Sequence, residues 1–371
     1  MGGNYSSVVP LNKFGLWAKI REKRRMFSIG FELTARCNNE CRHCYINLPA
    51  GDKKARDKEL SLGEIADIAE QALSLGAIWC LLTGGEPLLR EDFIDIYLCL
   101  KKKGLLVSVL TNATLISDAH VQLFKNHPPK NMEVSVYGVT QETYERVTRR
   151  PGSFKAFSRG LNLLLENGVP VRLKAMALRS NAHELPAITG FCRERTKDYF
   201  RFDPFLHLRY DGDQKRNAEI ISERLSPREI IALEQSDPER FQALKEHGCD
   251  FILPEKPEHG CDHLIKCGAG NDSLVLGADG RVRLCYSLCH PECVYDLRNG
   301  SLSDAFMNFV PKVRDIRSTR KEFKTKCNDC SLINLCLWCP AHAHLETGRL
   351  DRHVDYFCKV AHAREGMITK P

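Results

Sequence analysis

Thr34-Ala35-Arg36-Cys37-Asn38-Asn39-Glu40-Cys41-Arg42-His43-Cys44-Tyr45 follows directly on an apolar run, Phe27 to Leu33, that reads as a β-strand. Three thiols separated by three and then two residues can each take one corner of an iron-sulfur cube, and the fourth iron is left without a ligand from this loop. Such an open iron is a place to bind and activate a small molecule. The competing reading is a zinc ion, for which His43 would complete a set of four ligands.

Downstream of this loop, short apolar strands alternate with longer amphipathic segments as far as Phe205. The strands read as Phe27 to Leu33, Ile78 to Thr83, Leu105 to Leu110, Met132 to Tyr137, Val169 to Ala175 and Tyr199 to Phe205. Ser61-Leu62-Gly63-Glu64 is a capping box that opens a helix with Ile65, Ile68, Ala69, Ala72 and Leu73 at helical spacing. Six such units predict an α/β fold, a partial (β/α)6 TIM-like barrel, with its chemistry at the carboxyl ends of the strands. The second strand ends in Thr83-Gly84-Gly85-Glu86-Pro87-Leu88. There two glycines would let the backbone approach a ligand, and the carboxylate would accept hydrogen bonds from an ammonium group.

The chain has 371 residues, 43% hydrophobic and 27% charged, which describes a globular protein. It shows no apolar run long enough to span a bilayer and no signal-peptide core, so a cytoplasmic protein is expected. Its 17 cysteines then read as metal ligands rather than disulfides. Cys80, Cys99, Cys192 and Cys249 stand singly and read as packing residues. Beyond a helical linker marked by Pro227, Pro238, Pro254 and Pro257, eight thiols are grouped: Cys261, Cys267, Cys285, Cys327, Cys330, Cys336, Cys339 and Cys358. They suffice for two four-iron cubes, or equally for two four-cysteine zinc sites. Asp279-Gly280, between two apolar runs, signals a hairpin that presents Cys285. With so few apolar residues, that hairpin is expected to need the clusters as a staple.

The Cys-x3-Cys-x2-Cys loop, with an aromatic residue before its last cysteine, and Gly84-Gly85-Glu86-Pro87 after the second strand together resemble the radical S-adenosylmethionine (radical SAM) superfamily. The resemblance implies that Cys37, Cys41 and Cys44 hold a [4Fe-4S] cluster whose fourth iron binds S-adenosylmethionine. A 5′-deoxyadenosyl radical then abstracts hydrogen from the substrate. It further implies that Gly84, Gly85, Glu86 and Pro87 meet the methionine amino group and that His43 or Tyr45 lies near the adenine. Thr111, Asn112 and Ser135 would contact the ribose, and Lys174 the carboxylate. The tail is similar to the SPASM domain of peptide- and protein-modifying maturases. One auxiliary cluster is thereby assigned to Cys261, Cys267, Cys285 and Cys339, and the other to Cys327, Cys330, Cys336 and Cys358. Cys336-Leu337-Trp338-Cys339 departs from the usual pattern by being one residue short, which brings His342 and His344 into consideration as ligands.

The implied organisation is a basic N-terminal helix over 1–26, a barrel over 27–225, a helical linker over 226–260 and an auxiliary-cluster domain over 261–371. The implied substrate is a ribosomal peptide or protein, with a small metabolite of cofactor biosynthesis as the alternative. Only 36 residues precede Cys37, which suggests a separate leader-binding protein; flavodoxin or ferredoxin would donate electrons. Sulfatase-maturing relatives place an aspartate where Tyr286 stands, which disfavours that branch. Candidates for acid-base work are Tyr286, Asp203, Tyr210 and Asp211. Cys289 and Cys293 have either a redox or substitute-ligand role or are buried thiols. Three oxidised clusters carry roughly −5 in total, which offsets most of the formal charge of +7 and removes the hint of a nucleic-acid partner.

Overall fold

Six parallel strands follow one another across a sheet in chain order in the computed structural model, which describes residues 19, 22–196, 200, 202–253, 262–336 and 338–369. They are β1 (Ser28–Thr34), β2 (Trp79–Gly84), β3 (Leu106–Thr111), β4 (Met132–Val136), β5 (Arg172–Met176) and β6 (Phe202–Asp203). All are parallel to their neighbours. The sixth stops at Asp203, short of the predicted Phe205, because Pro204 has no N–H to give to the ladder; Tyr199 and Arg201 lie outside the described residues. The longer helices are α1 (Leu62–Leu75), α2 (Phe93–Lys102), α3 (Asp118–Asn126), α4 (Gln141–Thr148), α5 (Ser153–Glu166) and α6 (Leu185–Arg195). They continue with α7 (Gln214–Glu223), α8 (Pro227–Ser236), α9 (Pro238–Gly248), α10 (Pro340–Thr347) and α11 (Asp355–Ile368).

The local signals act as read. Ser61 and Glu64 close the capping box of α1, whose Ile65, Ile68, Ala69 and Ala72 are buried against the sheet. Along β1 the pleat puts Ile29, Phe31 and Leu33 on one face and Gly30, Glu32 and Thr34 on the other. The first set belongs to the main hydrophobic core. Gly30 and Glu32 of the second set border cavities of about 500 and 730 Å³.

The tail does not stand apart from this sheet. After residue 262 the chain returns as β7 (Ser273–Leu276), which lies parallel to β1 with Ser28 opposite Ser273 and Phe31 opposite Leu276. The expected turn at Asp279-Gly280, with Gly280 at φ +82°, leads into β8 (Arg281–Arg283), and β9 (Val294–Asp296) completes a nine-stranded sheet. Leu274, Leu276, Val282 and Leu284 are buried in the same core as the barrel. The hairpin, expected to depend on the clusters as a staple, is also paired with β1 and packed in the barrel core.

The segment read as a linker is also packed. Glu234 of α8, fully buried, receives Arg364 of α11 at 2.6 Å and Arg240 at 2.9 Å, which ties α8 to the last helix. The basic N-terminal helix lies mostly outside the described residues. Among those described, no helix is long and apolar enough to cross a membrane.

Candidate functional site

The chain leaves β1 directly into the cysteine loop, and three supports hold that loop. Arg36 and Cys37 pair with Leu48 and Pro49 in a short parallel ladder. The Glu40 and Arg42 amides donate to the Thr148 and Val147 carbonyls, at 2.9 and 3.3 Å, at the end of α4. Two arginines from the far side of the barrel clamp the remaining carbonyls. Arg209 donates to the Asn47 carbonyl (3.1 Å), Asn47 Oδ1 (3.0 Å) and the Cys44 carbonyl (3.4 Å), while Arg216 donates to the Cys41 carbonyl (3.0 Å) and Asn47 Oδ1 (3.2 Å). Sequence reasoning missed Asn47, Arg209 and Arg216, since nothing in their local context marks partners more than 160 residues away.

Cys37, Cys41 and Cys44 converge, and each thiol is held in its neutral form. Burial and the nearby Glu86 push Cys37 up to about 12, and burial with the charges of Cys44 and Cys37 raises Cys41 well above its usual value. Burial likewise raises Cys44, against backbone donors and the charge of Arg209. A cationic iron-sulfur cube is the kind of group that would hold three such thiols as thiolates. Donors for Cys37 Sγ are present in the Asn39 amide at 3.4 Å and Asn112 Nδ2 at 3.8 Å. The donor set therefore fits the group.

The loop after β2 meets this cysteine loop backbone to backbone. A Cβ on Gly84, at φ +132°, would lie 2.3 Å from the Thr34 carbonyl oxygen, and one on Gly85 2.2 Å from that of Arg36. The glycines are therefore demanded by the neighbouring loop, where the sequence suggested approach to a ligand. Glu86 is fully buried, and its carboxylate accepts from the Thr111 hydroxyl (2.7 Å), the Asn112 amide (2.7 Å) and the Leu88 amide (3.1 Å). Burial raises it to about 7 in spite of those donors. Pro87 begins the short turn Pro87–Leu89. Asn112 passes the connection on to Asn38, at 2.9 Å.

The other sequence candidates divide. His43 packs on Tyr137 at 5.1 Å, and burial with the charge of Arg216 pushes it down to about 4. Tyr45 turns the other way, onto Tyr210 and His207 at 5.0 and 5.6 Å. Ser135 hydrogen-bonds Tyr137, and Lys174 is committed to Glu133 on the adjacent strand at 3.0 Å. Asp203 is exposed at the end of β6 and accepts from the Phe205 amide at 3.0 Å. Partial burial acts to raise the pKa of Asp211, but the Arg209 hydrogen bond at 2.6 Å, the Asp213 amide and the Arg209 charge together lower it, so it is a weak base. The Tyr286 hydroxyl occupies the space left by Gly30, where a Cβ would come within 2.1 Å of it.

In the tail, Cys327, Cys330, Cys336 and Cys358 line a single cavity of about 300 Å³, the same four that the resemblance groups. Cys267 and Cys339 lie close enough to Cys285 for their charges to raise its thiol, although burial is the larger cause. Cys339 caps α10, its sulfur accepting from the His342 amide at 3.4 Å, so the shortened spacing still delivers it toward Cys285. Cys261 and the side chain of Cys249 lie outside the described residues. Cys80, Cys192 and Cys293 are buried, and Cys99 is half-buried on α2. All the described cysteines are free thiols. Among the described residues, no three Cys, His, Asp or Glu side chains close to the spacing of ligands on one ion.

Between the cysteine loop and the tail hairpin lies a cleft of about 730 Å³. Tyr45 and Tyr210 line it from the barrel, Arg283 and Cys289 from the hairpin, and Glu32 from β1.

Residues 31–191 match the family model described as the Radical SAM superfamily. Among curated proteins, the chain is 29% identical to Fe-coproporphyrin III synthase of Methanosarcina barkeri (strain Fusaro / DSM 804) over 66% of its own length and 63% of that protein. It is 25% identical to AdoMet-dependent heme synthase of the same organism over 86% and 93% of the two chains. It is 27% identical to the antilisterial bacteriocin subtilosin biosynthesis protein AlbA of Bacillus subtilis (strain 168), over 69% of this chain and 54% of AlbA. The chain therefore spans less than two thirds of the first and third of these relatives. Among solved structures it resembles Streptococcus suis SuiB bound to its precursor peptide SuiA, with a TM-score of 0.66, 14% identity, and coverage of 96% of this chain and 83% of SuiB.

Proposed function

Since residues 31–191 of this chain are a radical SAM domain, whose cofactors are a [4Fe-4S] cluster and S-adenosylmethionine, we propose that the enzyme oxidatively modifies a peptide or protein held in the cleft. The position of that cleft carries the proposal. It is bounded by Tyr45, next to Cys44, on one side and by Arg283 and Cys289, two and four residues from Cys285, on the other. A substrate seated there lies between the cysteine triplet and the nearer tail site. The name of AlbA and the peptide bound to SuiB support a peptide as its occupant.

In this reading Cys37, Cys41 and Cys44 hold the S-adenosylmethionine-binding cluster. Cys327, Cys330, Cys336 and Cys358 hold one auxiliary cluster, and Cys261, Cys267, Cys285 and Cys339 the other. When bound, the cluster and S-adenosylmethionine supply the one-electron chemistry that removes a hydrogen atom from the substrate. The chain's residues provide placement and exclusion. Arg209 and Arg216 fix the loop carbonyls, and Glu86 joins the ends of β2 and β3. Because the Glu86 carboxylate is already taken by Thr111, Asn112 and Leu88, it is the backbone of Gly84 and Gly85 that would be left to receive the methionine ammonium. Tyr45 and Tyr210 wall the cleft against water.

A second reading, a small carboxylate-bearing tetrapyrrole, is favoured by the near full-length match to AdoMet-dependent heme synthase. Lys54, Lys58 and Arg281 in the cleft wall would receive its carboxylates. The anaerobically reconstituted enzyme with dithionite should release 5′-deoxyadenosine, and Cys41→Ala should abolish that release; unchanged release from the variant sinks the assignment of the triplet. Oxidation of a porphyrin carboxylate with no mass change in candidate peptides would select the second reading.

A further inference from the structure

Glu32 sits on β1 five residues before Cys37, only 4% exposed, and borders the cleft. Its Oε2 is engaged by Arg283. Its Oε1 is buried and has no hydrogen-bond partner among the described residues. Tyr45 and Tyr210 are close enough to feel its charge, but the Tyr210 hydroxyl donates to the Tyr286 carbonyl instead. Buried carboxylate oxygens are seldom left unmet, because a lost partner exposes the full desolvation cost.

We propose that Glu32 Oε1 is the acceptor for a neutral N–H donor of the cleft's occupant, a peptide amide being the chemistry it fits. The inference rests on the cleft as the substrate site and adds the residue that orients the substrate in it. The donor is neutral because Arg283 already balances the carboxylate, and a second cation beside that guanidinium would be repelled. Arg281, Lys54 and Lys58 in the same wall act in the same sense. The acceptor is also rigidly placed. Glu32 lies opposite Thr83 of β2, Arg283 lies opposite Val275 of β7, and the Arg283 guanidinium stacks over the Tyr210 ring at 4.8 Å. A hydrogen bond to Oε1 would therefore hold a peptide at a fixed position relative to both Cys37 and Cys285, without any closure of the cleft.

Saturation-transfer NMR on the oxidised holoenzyme tests this with three probes. They are N-acetylglycine N-methylamide, its fully N-methylated counterpart, which has no N–H, and n-butylammonium. The N–H probe should bind about tenfold more tightly than either of the others, the size of one charge-assisted hydrogen bond, and Glu32→Gln should erase the difference. Equal affinity of the two amides overturns the proposal, since the occupant's N–H then does not reach the oxygen. Preference for the ammonium overturns it too. If Glu32→Gln fails to load iron, the pair of amides on the wild-type enzyme decides alone. Release of 5′-deoxyadenosine by the same preparation is read separately. Amide discrimination without that release would leave Glu32 as assigned and remove the radical enzyme reading, and release without discrimination would do the reverse.

Discussion

Replacing Gly85 by alanine is the sharpest test of how the cysteine loop is held. The new Cβ would lie 2.2 Å from the Arg36 carbonyl oxygen, 2.6 Å from its carbon and 2.8 Å from the Ala35 oxygen. The first contact is about 0.8 Å inside the 3.0 Å that real Cβ atoms keep. Every obstacle is backbone, so no side chain can swing aside. The two loops must separate, and two hydrogen bonds between them go: Gly85 N–H to the Thr34 carbonyl at 2.7 Å and Glu86 N–H to the Arg36 carbonyl at 2.9 Å. Each is worth about 1 kcal/mol and the overpacking about 1–3 kcal/mol, which gives a cost of about 3–5 kcal/mol. A domain stable by about 5–15 kcal/mol survives this. The cysteine loop, which takes the displacement, should not keep its geometry.

The expected result after anaerobic reconstitution is a folded protein lacking roughly the four irons of the first cluster and keeping those of the tail. Gly190→Ala is the control. Nothing lies within 4 Å of a Cβ there, in the middle of α6, so it should be neutral or stabilising by about 0.5–1 kcal/mol. Full iron content and normal 5′-deoxyadenosine release in Gly85→Ala would refute the packing argument.

Two further outcomes follow from the site and the sheet. Glu86 has a folded pKa of about 7 against an ordinary value of 4.5, so its contribution to stability is complete below pH 4.5 and is lost as pH rises through about 7. The loss amounts to about 3 kcal/mol; denaturant midpoints of the iron-free protein should fall over that range and flatten in Glu86→Gln, and parallel curves would contradict the assignment. Chelating the iron should leave amide exchange slow in Ser273–Leu276 and Arg281–Arg283, which β1 and the core hold, and fast in 324–336; uniform loss of protection would restore the clusters as the hairpin's staple.

Much of the barrel and the thiol groupings was legible because the signals are local. Apolar runs bounded by polar or glycine residues gave five of the six barrel strands to within about three residues, and Asp279-Gly280 gave the hairpin. The four cysteines around the 300 Å³ cavity were legible from the resemblance alone, since their spacing permits several pairings. Partners distant in the chain were not legible. No local pattern says that Ser273–Leu276 will dock along β1, because an apolar run carries no address for its partner strand. Glu86 reads as free to meet a ligand until Thr111 and Asn112 are placed beside it. Glu32 reads as one polar residue in a strand, and only the return of Arg283 from 251 residues away shows that its second oxygen is left over.

These long-range contacts give β1 a role that neither the barrel nor the tail alone would assign to it. Its carboxyl end runs into Cys37, and its free edge carries β7, whose hairpin runs into Cys285. The buried pair of Glu32 and Arg283 then bridges the two sides across the cleft. The separation between the cysteine triplet and the nearer tail site is thus fixed by strand ladders rather than by a flexible linker. An enzyme built this way gains little from moving one site toward the other. Its selectivity has to lie in what the cleft wall accepts, so substitutions at Glu32 and Arg283 should alter which substrates are used before they alter the cleavage of S-adenosylmethionine.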